Sequence, residues 1–274
     1  MDKNKVFEEF YLTIKAVLKA SESILEIYRS DFDKMIKTDG SPVTIADLTS
    51  SKIINDILKE TQIPVLGEEK VKEPYIVRKH WEKMWCVDPL DGTKEFIKKN
   101  GEFVINIALI ENNKPVYGII ASPVHQKIIL GGKEFGAYHI SYENALFPEK
   151  WEKLPVLSEK IETVYMISSR SHFSGNLKNL SDTLEDKYGP VKSIVMGSAL
   201  KFFDLVMGDA HIYPRFAPTM EWDIAAGQAI FEAVGGKVIE VETGNPLTYN
   251  KEDLENPYFI GVNPSISLSL EFYH

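Results

Sequence analysis

Residues 86–96 read CVDPLDGTKEF and set two carboxylates, Asp88 and Asp91, three positions apart around a proline and directly before Gly92 and Thr93. Carboxylates are hard oxygen ligands, suited to Mg²⁺, Mn²⁺ or Ca²⁺ rather than to a soft metal. Pro89 stiffens the turn, so that the Leu90 carbonyl can face the side of Asp88 and Asp91 and add a third oxygen. Gly92 and Thr93 offer unencumbered backbone N–H groups. A short helix beginning here would set them at its positive end, a natural seat for a phosphate. The competing reading of the same letters is an Asp-Pro turn followed by an Asp-Gly turn, both common in loops.

Two other acidic segments bear on the same chemistry. GEEK (67–70) places Glu68 and Glu69 after an apolar, strand-like run, which favours one of them entering a site although paired glutamates are usually solvated surface. In YPRFAPTMEWDIAAGQAI (213–230), Glu221 and Asp223 fall where a helix should begin, and acids suit that end of its dipole. Ala225, Ala226 and Gly227 are small enough to let that helix approach a neighbour closely. Other chemistries lack their residues. The six histidines include no pair at metal-ligand spacing, and Cys86 is the single cysteine. No Gly-x-Ser-x-Gly elbow, Walker A loop or dinucleotide glycine fingerprint occurs. Oxygen-ligated metal remains.

The elements that must position these residues alternate in type. Val6, Phe7, Phe10, Ile14, Val17, Leu18 and Leu25 recur at helical spacing, which predicts a helix over about 4–29. A second helix is predicted from Ala46 to Leu58, with Leu48, Ile54, Ile57 and Leu58 on its inner side. From Trp85 to Leu130 the pattern turns to strands punctuated by Gly and Pro. Residues 141–160 read as a boundary, after which strand-like and helical segments alternate, as in an α/β half. The predicted division is an α+β half over 1–155, carrying most metal ligands, and a smaller α/β half over 156–274 contributing Asp223 and the substrate pocket.

Composition narrows the partners. The 274 residues carry 31 Lys and Arg against 40 Asp and Glu, a net charge of −9, which disfavours nucleic-acid polymers and anionic membranes. No apolar run reaches the ~18 residues of a membrane span, and the N-terminus does not read as a signal peptide. With one cysteine and no internal disulfide, the expected compartment is the cytoplasm, loose peripheral association with the inner membrane face remaining open. An acidic site that takes an anion needs a cation between them.

The series GEEK, VDPLDGTKEF and EWDIAAGQAI resembles, in order and spacing over essentially the whole chain, the three-part signature of the inositol monophosphatase superfamily of Mg²⁺-dependent, lithium-sensitive phosphatases. Lys94-Glu95-Phe96 after DGT, SSRSH at 168–172 and YPRFAPTMEWD are similar to the bacterial 3′(2′),5′-bisphosphate nucleotidases. These hydrolyse adenosine 3′,5′-bisphosphate to AMP and phosphate in sulfate assimilation and nucleotide recycling. The resemblance implies an α/β fold, the layered α/β/α/β/α sandwich of the inositol monophosphatase and fructose-1,6-bisphosphatase type. It also implies two or three Mg²⁺ ions per chain, held by Glu68, Asp88, Asp91, Asp223 and the Leu90 carbonyl, with Asp88 bridging two of them. Asp47 and Thr93 would orient the attacking water together with Glu68. Substrate would meet Glu68, Leu90, Asp91, Gly92, Thr93, Lys94, Ser198, Arg215 and Asp223.

The expected mechanism is in-line attack by a metal-activated water without a covalent enzyme intermediate. Lys94, Lys201, Arg170, Arg215 and His172 are the cations or donors available for a second phosphate. Two alternatives stand beside the nucleotidase. One is an inositol or sugar phosphate monoesterase with the same core, and the other a non-catalytic metal or phosphate-binding protein, disfavoured by the complete set of carboxylates with Thr93.

Overall fold

Val6, Phe10, Ile14, Val17 and Ile24 form one buried face of helix α1 (Lys3–Arg29), as their spacing predicts. The computed structural model describes residues 2–37, 40, 42–157, 161–168, 175–195 and 197–270. A hairpin of β1 (Lys34–Ile36) and β2 (Pro42–Thr44) leads into α2 (Ile45–Leu58). Then follow β3 (Val65–Gly67), α3 (Tyr75–Arg78), β4 (Lys83–Asp91) and the short α4 (Thr93–Ile97). Strands β5 (Val104–Glu111), β6 (Lys114–Ser122), β7 (Lys127–Gly132), β8 (Gly136–Ser141) and β9 (Glu152–Lys153) complete the first sheet. The remainder comprises β10 (Val164–Ser168), α5 (Gly175–Tyr188), β11 (Val191–Val195), α6 (Lys201–Met207), β12 (Ile212–Arg215), α7 (Glu221–Ala233), β13 (Lys237–Glu240) and β14 (Phe259–Val262).

The seven-stranded sheet runs β3 to β9 in chain order, antiparallel throughout except for the parallel pair β3–β4. The five-stranded sheet has the order β11-β10-β12-β14-β13, with β10 parallel to both its neighbours and β14 antiparallel to β12 and β13. Helices α1 and α2 cover one face of the first sheet. The other face packs against α7 in a core that also takes residues of the second sheet, among them Tyr213 and Phe259. Leu177, Leu180 and Leu184 of α5 close the far side of the second sheet. The result is the expected five-layer α/β/α/β/α sandwich.

Helix α7 is buried almost all round, as a helix between two sheets must be. Its approach to β6 depends on Gly118, where a Cβ would lie 2.2 Å from the Ala226 carbonyl oxygen. That contact fixes the height at which the first turn of α7, with Asp223, meets the end of β4.

One sequence expectation changes. Leu48 is 40% exposed, and the inner side of α2 instead carries Ala46, Asp47, Ser50, Ile54, Ile57 and Leu58. The polar members are tolerated there because they have partners; the Ser50 hydroxyl donates to the Pro89 carbonyl at 2.6 Å. Of residues 141–160, read as a boundary, 141–157 are described and carry β9 on the edge of the first sheet and the buried Trp151.

Candidate active site

In a regular strand, residues three apart point to opposite faces. Asp88 and Asp91 escape that rule through a bulge. Asp88 pairs with Asn106 and Asp91 with Val104, so three steps on β4 oppose two on β5. The extra residue returns Asp91 to the side of Asp88. Pro89, which has no N–H to give a ladder, sits inside the bulge, where a strand accepts it. The Leu90 N–H donates to Asp88 Oδ1 at 3.0 Å, closing the turn. The Leu90 side chain is buried in the core beneath. Glu68 follows β3 beside β4 and is pinned by its N–H to the Val87 carbonyl at 3.1 Å.

Gly92 adopts φ +101°, and a Cβ there would lie 2.8 Å from the Glu102 carbonyl oxygen and 3.2 Å from Ser198 Cβ. Its first duty is conformational, turning the chain from β4 into α4. The two halves meet at this corner. The Ala199 N–H donates to Asp91 Oδ2 at 2.5 Å, and the Gly197 N–H donates to Glu102 at 3.0 Å.

Asp47 and Asp223 occupy equivalent positions, each three residues into a helix. The N–H of Thr44 donates to Asp47 Oδ2 at 2.7 Å, and the N–H of Met220 donates to Asp223 Oδ2 at 2.9 Å. One oxygen of each carboxylate thus caps a helix and the other is left for work. For Asp47, that other oxygen accepts the Thr93 hydroxyl at 2.7 Å. Helix capping uses one oxygen of each acid and does not exclude a further role for the other.

Electrostatics single out the cluster. Burial pushes the Asp88 carboxyl well up, and the charges of Glu68, Asp91 and Asp223 push it further. Asp223 is raised to about 8 by burial and by Asp91. Asp91 is raised by burial, while the Lys201 ammonium pulls against it. Lys37 spans Glu68 and Glu69, at 2.7 Å from Glu68 Oε1. The glutamates raise its pKa although burial opposes them. Among the described residues, no three His, Cys, Asp or Glu side chains are gathered around one point; Lys37 holds Glu68 on its own side. By donor chemistry the set fits Mg²⁺, being oxygen-only and anionic, with carboxylates that cannot all ionise cheaply unless a cation joins them.

Beside this cluster lies a cavity of ≈ 360 Å³ whose lining includes Asp91, Ser198 and Asp223 together with the cations Lys94, Lys98, Lys201 and Arg215. The Lys201 Nζ donates to the Ser198 carbonyl at 2.8 Å, and burial lowers its pKa to about 8. Arg215 donates through Nη2 to the Pro218 carbonyl at 3.2 Å. Arg170 and His172 lie outside the described residues. Sequence reasoning passed over Lys37 and Lys98. Lys98 lies one helical turn after Lys94, a legible signal once α4 is recognised. Glu221, adjacent to the site in sequence, is fully buried elsewhere. Its Oε1 accepts from the N–H and the ammonium of Lys251, and its Oε2 from the N–H of Asn250. The Cys86 thiol is buried and its pKa raised by that burial, which leaves it inert.

Comparison with known proteins gives concordant matches. The profile of the inositol monophosphatase family covers residues 7–264. The chain is 38% identical over 245 residues to the 3′(2′),5′-bisphosphate nucleotidase CysQ of Escherichia coli K12, spanning 88% of this chain and 94% of that protein. It is 39% identical over 236 residues to the enzyme of the same name from Buchnera aphidicola, covering 84% and 83%. Among solved structures, CysQ from Bacteroides thetaiotaomicron, a bacterial member of the same family, superposes with a TM-score of 0.82 at 42% identity, over 94% of this chain and 97% of that one.

Proposed function

This chain belongs to the inositol monophosphatase family, and on that premise we propose that it is a Mg²⁺-dependent 3′(2′),5′-bisphosphate nucleotidase. It releases the 3′-phosphate of adenosine 3′,5′-bisphosphate to give AMP and phosphate, acting in the cytoplasm. One observation carries the reading. Two carboxylates of the cluster, Asp91 and Asp223, and four cations line one cavity, as a substrate with two phosphates requires.

Glu68, Asp88, Asp91 and Asp223, with the Leu90 carbonyl, would hold two Mg²⁺ ions, whose chemistry is to activate a water and to offset charge on the phosphate and the leaving oxygen. The Thr93 hydroxyl donates its hydrogen bond to Asp47, so its oxygen is left as an acceptor that orients the attacking water. Glu68 is the carboxylate that helps take the proton. Gly92 and Thr93 contribute backbone N–H groups to the phosphate being cleaved. Lys94, Lys98, Lys201 and Arg215 take the second phosphate, and Ser198 lines the route between the two.

Phosphate release with Mg²⁺ on adenosine 3′,5′-bisphosphate, inositol 1-phosphate and fructose 1,6-bisphosphate tests the reading. Preference for the nucleotide supports it. Preference for either of the others keeps the metal chemistry and overturns the substrate, and no turnover of any returns the chain to a binding protein.

A further inference from the structure

Asn106 is the one polar side chain in the buried core of β5, between Ile105 and Ile107. It stands directly across from Asp88 in the antiparallel register, and opposed residues share a face of the sheet. That face is the one that packs against α7, the helix of Asp223. Asp91 pairs with Val104, two residues from Asn106 and on the same face. Asn106 is 0% exposed, yet neither its Nδ2 nor its Oδ1 completes a hydrogen bond. A buried amide without partners destabilises a fold, whereas an apolar side chain of the same shape does not. The position therefore maintains a cost to stability, on the face of the sheet that carries Asp88.

We propose that Asn106 is a positioning residue of the carboxylate cluster, whose amide orients Asp91 and Asp88 toward Mg²⁺. The inference rests on the reading of those carboxylates as the metal site. An amide suits the task because it can offer an N–H donor to a carboxylate without adding a fifth negative charge to the four already present. Hydrogen-bond partners behind ligating carboxylates set ligand orientation, and their loss weakens metal affinity about 10–100-fold.

The test is calorimetric titration of the metal-free protein with MgCl₂, paired with the melting temperature of the same metal-free samples. Asn106→Leu is expected to bind Mg²⁺ at least about 10-fold more weakly, with a metal-free melting temperature equal to or above wild type. The near-isosteric pair Asn106→Thr and Asn106→Val separates the donor from the packing. Thr, which keeps a hydroxyl donor, is expected to bind more tightly than Val, and this comparison stands even if the Leu variant does not fold. Unchanged affinity in the Leu variant, or equal affinity in the Thr and Val variants, overturns the proposal. So does a weakened affinity in the Leu variant that comes with a lowered metal-free melting temperature, since packing would then account for both. If wild type itself does not bind Mg²⁺, the metal-site reading falls and takes this inference with it, a result distinct from the others.

Discussion

Thr93 donates its hydroxyl to Asp47 across 2.7 Å, and the other oxygen of Asp47 is held by the N–H and the hydroxyl of Thr44 at 2.7 and 2.6 Å. The first contact joins the start of α4 to the start of α2, and the second ties Asp47 to its own helix cap. A carboxylate held on both oxygens cannot swing. The Thr93 hydroxyl proton is therefore committed, and its oxygen points an acceptor at whatever occupies the cleft.

Thr93→Val is expected to lower kcat by about 10²–10³-fold, within the range for a lost general-base contact, while Thr93→Ser retains most activity. Asp47→Asn should cost in addition about 1 kcal/mol of stability, because its helix loses a charged cap. Steady-state kinetics and thermal melts separate the two effects. A Thr93→Val enzyme with wild-type kcat contradicts the water-orienting role.

The cluster sets a pH dependence for the metal-free protein. Asp88 and Asp223 have folded-state pKa values above their unfolded ones, Asp223 at about 8. Between the unfolded value near 4 and that folded value, the native state binds more protons than the unfolded chain, so stability falls as pH rises. Melting temperature in EDTA should decline from pH 5 to 8, and Mg²⁺ should remove most of the decline. In Asp223→Asn the slope should be shallower. A wild-type slope in that variant would mean the acids are not coupled as described.

Lys201 gives an opposite handle at higher pH. Burial holds its pKa at about 8, so its charge is present below that pH and lost above it. KM for adenosine 3′,5′-bisphosphate should rise between pH 7.5 and 9 in wild type. In Lys201→Met it should be high and flat across that range, and a parallel rise in the variant would assign the effect to another group.

Glu221 supports rather than reacts. It is fully buried and receives two backbone N–H groups as well as the Lys251 ammonium. Glu221→Ala leaves those donors unpaired and should cost about 3 kcal/mol, read as a lowered denaturant midpoint. Mg²⁺ affinity of the folded variant should stay within about two-fold of wild type. A large loss of affinity at unchanged stability would move Glu221 into the site.

Much of this was legible in the letters, and where it was not, the reason is physical. Helix α1 announces itself through periodicity, and α7 through the acids of its first turn. The same-side placement of Asp88 and Asp91 does not follow from a period of two; it needs the bulge, which depends on the register of β5 against β4. Leu48 misled because α2 turns a partly polar side inward, with Asp47 and Ser50 buried at hydrogen-bonded positions where periodicity looks for aliphatics. Strand β14, four residues between Pro257 and Pro264, is too short to show a period. Asn106 looks like one polar interruption in an apolar strand, and its meaning appears only when Asp88 is found opposite. The pairing of Asp47 with Thr93 spans 46 positions and was reached through family resemblance, since no local pattern links them.

The most direct test compares wild type with Asp88→Asn in Mg²⁺-dependent release of phosphate from adenosine 3′,5′-bisphosphate, with melting curves on the same samples. Asp88 is buried, and its charge interacts with Glu68, Asp91 and Asp223. The variant should stay folded, melt in EDTA at or above the wild-type temperature because one buried charge is gone, and lose nearly all turnover. Near-normal turnover in a folded Asp88→Asn protein would contradict the assignment of these carboxylates to the metal-dependent step.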